Sequence, residues 1–416
     1  MTTNVESVAP PRTSVGVLGW LRKNLFSTWY NALLTLFAGW VIYSVVSQLL
    51  AWTFTAAKWQ VIAANLRLFM VGPYPPDQVW RPWLVLAMTA VLLGMSAGVW
   101  GGTLRTFALW LAATFATLLV IALIVEGWER QLAIFSGKGN WWQAIPAATW
   151  LLLNLLLVIV GYFGTRGRKA WGRTVILAWL VSFALTIVLL QGFQKNDLVP
   201  EVSTSRWGGL LLTFMLAAVS IVVSFPLGVL LALGRRSQMP AIKWFCVLYI
   251  EVVRGVPLVT ILYMTQIMLP LFLPGEFRLD NVLRAIAGMT FFTAAYMAEN
   301  VRGGLQAIPT GQAEAAHALG LNDFLVTLLI VLPQALRLVI PTTVGLFISL
   351  FKDTTLATIV ALLELLGVGR SVLAQPEFLG LQTEVYVFVA AIFFVFSYAM
   401  SYASYQIENA LGVGKR

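Results

Sequence analysis

Two acid–base pairs, Glu251/Arg254 and Glu299/Arg302, sit at i, i+3 spacing inside otherwise apolar stretches. Charge at membrane depth is expensive and marks function by default. One turn apart, each pair is able to close an intrahelical ion pair that lowers this cost; the other use is contact with a zwitterionic solute. Gly255 and Pro257 interrupt the helix beside the first pair, and broken helices expose backbone groups that bind ions or solutes. A second polar group follows a stretch holding Pro333 and Pro341, which should kink or split it. There, Lys352, Asp353 and Thr354 are expected to cap a short re-entrant helix over 355–366, with Thr355 at its start and Glu364 inside it. Non-helical backbone at that depth is tolerated only inside protein or beside a wet cavity, so the segment is a candidate wall of a passage. Glu251 and Glu364 would accept from an ammonium group; Arg254, the Thr354 and Thr355 hydroxyls and free N–H groups would donate to a carboxylate. Helix caps and ion pairs explain the same residues nearly as well.

Other chemistry is excluded by composition. One cysteine, Cys246, leaves no intrachain disulfide or cysteine cluster. One histidine, His317, leaves no His-based metal site and no Ser-His or Cys-His pair. No catalytic, cofactor-binding or metal-binding residue is expected. A phosphate loop needs Ser or Thr after its Lys; Gly137-Lys138-Gly139 and Gly414-Lys415-Arg416 both lack it. The chain therefore cannot hydrolyse ATP by that route.

These residues need elements to hold them, and the composition says which. Of 416 residues, 59% are hydrophobic and 11% charged, with a mean hydropathy of +0.84. A soluble domain carries about 25% charged residues, so this is an integral, all-α membrane protein. A helix crossing the hydrocarbon needs about 20 apolar residues. Ten stretches qualify: 29–54, 82–101, 106–124, 145–164, 174–193, 207–233, 244–270, 283–301, 324–350 and 385–407. The first is too long for a signal-peptide core. The net charge of +10 fits cytoplasmic loops rich in Lys and Arg, such as Arg166, Arg168, Lys169 and Arg173, and does not call for nucleic acid. The chain changes character near residue 205: 15 of its 17 tryptophans precede that point, and the five spans there have no interior charge. We divide it into a tail, 1–28, an extension of about five spans, 29–205, and a working half of about five spans, 206–416. Ser397, Ser401 and Ser404 mark one face of the last span and read as packing glue.

Between two spans of the working half lies Glu314-Ala315-Ala316-His317-Ala318-Leu319-Gly320, then nine residues, then Ile330-Val331-Leu332-Pro333. Alanines make a stiff helix that another surface can approach closely. Gly320 is able to take positive φ and end it sharply, Pro309 and Gly311 set off its other end, and Asp323 would cap the next span. Such a helix suits force transfer to a partner; an ordinary interhelical loop is the plainer reading.

The string E-A-A-x3-G-x9-I-x-L-P resembles the EAA loop of ATP-binding-cassette (ABC) importer permeases, at every defining position. Pro226-Leu227-Gly228, Ala232 to Ser237, Tyr249 to Leu258, Ala298-Glu299, Arg302 to Pro309 and Lys352-Asp353-Thr354-Thr355-Leu356 resemble the polar-amino-acid branch of that family, with Thr355 where Ser is usual. The resemblance covers about 206–410. By layout, the extension resembles that of the larger membrane subunit of general L-amino-acid transporters.

The resemblance implies a type I importer permease core with a cytoplasmic coupling loop over 306–323, in which Glu314, Ala315, Ala316 and Gly320 meet an ATPase subunit. It implies a multi-pass protein of the bacterial inner membrane with both termini cytoplasmic. It further implies a second permease chain or a copy of this one, two ATPase subunits binding ATP and Mg, and a periplasmic binding protein that delivers L-amino acids. The alternative is an ion-coupled secondary transporter or channel for small polar solutes, using acids such as Glu251 or Glu299.

Overall fold

The computed structural model describes residues 17–132, 147–194, 199–272 and 279–412, without the side chains of 17–18, 124–132 and 410–411. Residues 1–16 of the tail, Gly137-Lys138-Gly139 and Gly414-Lys415-Arg416 lie outside these. Among the described residues the chain is helical throughout, and its only β contacts are two isolated bridges.

Two compact units emerge, Met1–Gln60 and Val61–Arg416. The first holds α1, Val17–Asn24, and α2, Trp29–Ala51, which Thr28 caps and the π-turn Trp52–Ala56 extends. No residue of α2 is buried. A helix apolar on every side belongs in lipid or against another apolar surface.

The second unit opens with α3, Gln60–Val71, α4, Trp80–Trp100, α5, Gly102–Leu132, α6, Ala147–Thr165, and α7, Gly172–Gln191. Helices α4 and α6 touch backbone to backbone. A Cβ on Gly94, Gly98 or Gly161 would overlap main-chain atoms of the facing helix. Such small-residue seams are how helices associate where no hydrophobic force separates protein from lipid. Ala90, Ala97, Phe115, Leu151 and Val158 fill the remaining core.

Helices α8, Gly209–Arg235, α9, Pro240–Gly255, α10, Leu258–Ile267, the single turn α11, Leu269–Phe272, and α12, Asn281–Ala307, come next. They are followed by α13, Thr310–Ala318, the turn α14, Asp323–Leu325, α15, Leu332–Asp353, α16, Leu365–Leu373, and α17, Gln382–Leu411. Helix α12 is central. It packs parallel to α8, with Ser220 near Ile286 and Gly228 under Met297, and Met297, Ala298 and Val301 meet Ala232, Ile250 and Ala335.

Among the described residues, eight helices are long and apolar enough to cross a membrane. The bent pair α9–α10 and the 27-residue α12, whose Arg284, Glu299 and Arg302 dilute its apolar character, complete the ten expected spans.

One local expectation holds and two need correction. The stretch 244–270 breaks where Gly255 and Pro257 interrupt it: α9 and α10 meet at 110°. Val256 is extended there (φ −111°, ψ 135°), the conformation a residue before proline prefers. The stretch 324–350 is not split. Pro333 falls in the first turn of α15, where its missing N–H costs nothing, the π-turn Val326–Val331 precedes it, and Pro341 is carried inside the helix. No re-entrant helix spans 355–366. A 3-10 turn, Thr354–Val360, ends at Ala361 in the left-handed region (φ +62°), and α16 begins afresh at Leu365.

Candidate functional site

The alanine-rich helix α13 is entered through Pro309 and closed by Gly320 at φ +82°. The Gly320 N–H donates to the His317 carbonyl at 2.8 Å and the Leu321 N–H to the Ala316 carbonyl at 3.2 Å. These two bonds are a Schellman motif, which requires a left-handed residue at Gly320. Ala316 is buried against the body of the unit, and Gln334 of α15 donates to Gln312 at 3.4 Å. Glu314, Ala315, His317, Ala318 and Leu319 face outward, Leu319 at 83% exposure. Asn322, not Asp323, caps the following turn, its Oδ1 accepting from the Leu325 N–H at 2.9 Å. Asp323 instead lies 3.4 Å from His317 Nε2.

The charged residues of α9 and α12 gather with one more, Arg235, at the end of α8. Glu299 accepts from Arg302 Nε at 3.0 Å, the expected pair one turn apart. Glu251 pairs with Arg235 at 3.0 Å rather than with Arg254. Arg254 turns to Glu299, 3.6 Å away, and lies over the Tyr296 ring. Arg235 also reaches Glu299 at 3.5 Å, and Arg302 donates to Gln306 at 2.7 Å in the last turn of α12. Three arginines and two glutamates thus tie α8, α9 and α12 together and extend toward α13. Glu299 remains 22% exposed and Glu251 54%, so solvent screening holds each pair to about 1 kcal/mol or less.

The second polar group lies at the other end of α8. Glu364 is fully buried and bridges to Gly209, the first residue of α8. Helix α8 has 27 residues, so the two groups are about 40 Å apart at 1.5 Å per residue. One Glu364 oxygen accepts from the Thr358 hydroxyl and from the Gly367 N–H at 2.7 Å; the other accepts from the Leu366 N–H at 2.8 Å. Glu364 is therefore the N-cap of α16 and not an interior residue of a re-entrant helix. Thr213 of α8 accepts from the Leu365 N–H at 3.1 Å and completes the corner. Thr354 is buried, its hydroxyl donating to the Phe351 carbonyl at 2.7 Å. Lys352 is exposed and Asp353 half-buried, and the Thr355 hydroxyl donates to the Lys352 carbonyl at 2.8 Å.

Sequence reasoning did not find a buried clamp in the extension. Arg81, fully buried in the first turn of α4, donates to the Pro200 carbonyl at 2.7 Å. Tyr74, also fully buried, donates to the Leu190 carbonyl at 2.8 Å. Burial pushes the Tyr74 phenol up to about 12, with the Arg81 charge pulling the other way. Arg81 falls one residue before the expected span 82–101, where hydropathy gives no sign of its burial.

Comparison with known proteins places this architecture. The family profile "binding-protein-dependent transport system inner membrane component" matches residues 224–410. The chain is 35% identical, over 99% of both chains, to the inner membrane amino-acid ABC transporter permease protein YhdY of Escherichia coli strain K12. It is 36% identical to the glutamate/glutamine/aspartate/asparagine transport system permease protein BztC of Rhodobacter capsulatus, over 98% of this chain and 97% of that one. It is 33% identical to the probable glutamine ABC transporter permease protein GlnP of Bacillus subtilis, over 49% of this chain and 91% of that one.

Proposed function

Because the chain belongs to the amino-acid permeases of the binding-protein-dependent inner membrane components, it is a multi-pass permease subunit of an ABC importer for amino acids, and we propose that α13 couples it to a separate ATPase. It works with a permease partner in an ABC-type complex. That partner is a second related chain or a copy of this one. Two ATPase subunits bind ATP and Mg beneath it, and a periplasmic binding protein delivers L-amino acids from above. Both termini and α13 are cytoplasmic. The tail, extension and core divide as 1–28, 29–205 and 206–416.

One observation carries the coupling reading. Helix α13 is short, closed by the Gly320 turn and anchored by Ala316, yet it turns Glu314, Ala315 and Leu319 to solvent. A rigid exposed helix transmits displacement; a loop would absorb it. When ATP binding closes the ATPase pair, α13 moves with it, and the Gln312–Gln334 bond carries the motion into α15, which packs on α12 through Ala335 and Met297. The two groups of helices then switch between outward-facing and inward-facing states through contacts that differ between them. Lys352 and Thr355 meet the solute beside the turn Thr354–Val360, while Glu251 and Arg254 meet it at the other end. Thr354, Asp353 and Glu364 hold the turn in shape. The ion-coupled alternative loses its support because the chain belongs to the ABC importer permeases.

The test is biochemical. The purified chain alone should hydrolyse no ATP, and the chain drawn from native membrane should bring an ATPase subunit with it. A cysteine placed at Ala315, in a chain with Cys246→Ser, should cross-link to that subunit. Robust hydrolysis by the single chain, or cross-linking at Ala315 to the binding protein instead, would sink the reading.

A further inference from the structure

The turns joining α4 to α5 and α6 to α7 form one surface. The Gly167 N–H donates to the Gly98 carbonyl at 3.2 Å, and the Thr165 hydroxyl to the Met95 carbonyl at 2.9 Å. The Trp100 indole lies 3.8 Å from where Gly172 would carry a Cβ. Phe107 contacts Tyr402 near the end of α17. Because α4 and α8 both start at the clamped end of the unit, this surface shares the membrane face of Arg235 and α13.

Five cations stand on it: Arg105, Arg166, Arg168, Lys169 and Arg173, all exposed. No acidic residue occurs from 78 to 125 or from 130 to 196. Among the described residues none of the five takes part in an ion pair. The contrast with the Arg235 network is direct, since there every arginine meets a glutamate. Two of the five also converge. The guanidinium carbons of Arg105 and Arg166 lie 5.9 Å and 5.8 Å from the centre of the same Tyr162 ring. Two like charges gathered on one ring repel, and an anion beside them would relieve that repulsion. A sidedness rule needs only positive charge in the loop; it does not need convergence on a ring. Trp100 and Trp171 stay 47% and 41% exposed beside the cations, and tryptophan settles at headgroup depth.

We propose that these two turns form a built site for the headgroup of an anionic phospholipid, its phosphate held by Arg105 and Arg166 over Tyr162, with Arg168, Lys169 and Arg173 around it and Trp100 and Trp171 against its upper acyl chain. Basic pockets between transmembrane helices bind anionic headgroups in this way. The α4–α6 seam holds the two turns in place before the lipid arrives. Only the choice of leaflet, the cytoplasmic one, rests on the sidedness proposed above.

Native mass spectrometry of the detergent-purified complex tests the site, with phosphatidylglycerol and phosphatidylcholine of matched chains as competing probes. The wild type should retain phosphatidylglycerol preferentially. Each interfacial cation contributes about a fivefold increase in binding. The double variant Arg105→Gln, Arg166→Gln should therefore lower the preference about 25-fold. Arg105→Lys, Arg166→Lys should keep most of it, and Arg22→Gln, Lys23→Gln should keep all of it. Four results would each overturn the site: an unchanged preference in the glutamine double variant, an equal loss in the Arg22/Lys23 control, displacement by millimolar inorganic phosphate, or loss of the ATPase subunit in place of lipid. Sidedness is read separately, by labelling Ala170→Cys in a Cys246→Ser chain with a membrane-impermeant thiol reagent in intact cells. Protection supports the cytoplasmic leaflet, and labelling overturns it without touching the lipid result.

Discussion

Replacing Gly320 with valine isolates the geometry of the coupling helix from its chemistry. No atom lies within 4 Å of the position a Cβ would take there, so the substitution meets no steric wall. The cost is in the backbone: at φ +82° a non-glycine residue pays about 1–2 kcal/mol, and a β-branched residue lies at the upper end. If the chain relaxes to negative φ instead, the two Schellman bonds at 2.8 and 3.2 Å open, at a net cost of about 0.5–1.5 kcal/mol each. The chain takes the cheaper route, so the population of correctly closed α13 falls about 5- to 30-fold. A partner that binds only the closed form sees its apparent affinity fall by the same factor. Amino-acid uptake and substrate-stimulated ATP hydrolysis in proteoliposomes, normalised to assembled complex, should fall together by about that amount. Gly320→Asn, which tolerates the left-handed region, should stay within about threefold of wild type. Equal activity of the valine and asparagine variants would refute the conformational argument.

Three further outcomes follow from the packing. Glu364→Ala removes the acceptors of two backbone N–H groups and of the Thr358 hydroxyl; a thermal melt of the complex should show about 1–2 kcal/mol of lost stability, with the order of preference among amino acids unchanged, and a switch in that order would put Glu364 in contact with solute. Tyr74→Phe should cost about 1 kcal/mol through the lost bond to Leu190, read as a lower melting temperature with uptake per assembled complex unaltered. Gly98→Leu, forced against Thr165 and the Tyr162 carbonyl, should separate α4 from α6 and reduce the amount of folded chain recovered, whereas Gly39→Leu, which meets nothing within 4 Å, should not.

What the sequence reveals follows the range of the interactions involved. Hydropathy is local, so the spans can be read directly. So can the α13 helix, because Pro309 and Gly320 fix its ends within a few residues. The Glu299–Arg302 pair is one turn long and legible; Arg235 is not legible as the partner of Glu251, because the chain must first turn between α8 and α9 to bring it there. The role of Glu364 is lost for a related reason. Its spacing suits a helix interior, and only Ala361 at positive φ, an uncommon state for a residue with a Cβ, ends the preceding turn and makes Glu364 a cap. Arg81 sits in a stretch that hydropathy treats as uniform, and its acceptor lies 119 residues away.

The long reach of that clamp imposes an order on biogenesis. Tyr74 and Arg81 cannot close until Leu190 and Pro200 have been synthesised, so the front helices enter the membrane with their outer corner still open. The start of α8 waits longer. Its Gly209 N–H donates to the Leu363 carbonyl at 2.8 Å, and the intervening chain takes roughly 8–30 s to translate at about 5–20 residues per second. During that interval α4 to α7 already have all their mutual partners, while α8 has none of those it will find on α16. The extension is thereby finished first and stands as a template beside which the later helices are threaded.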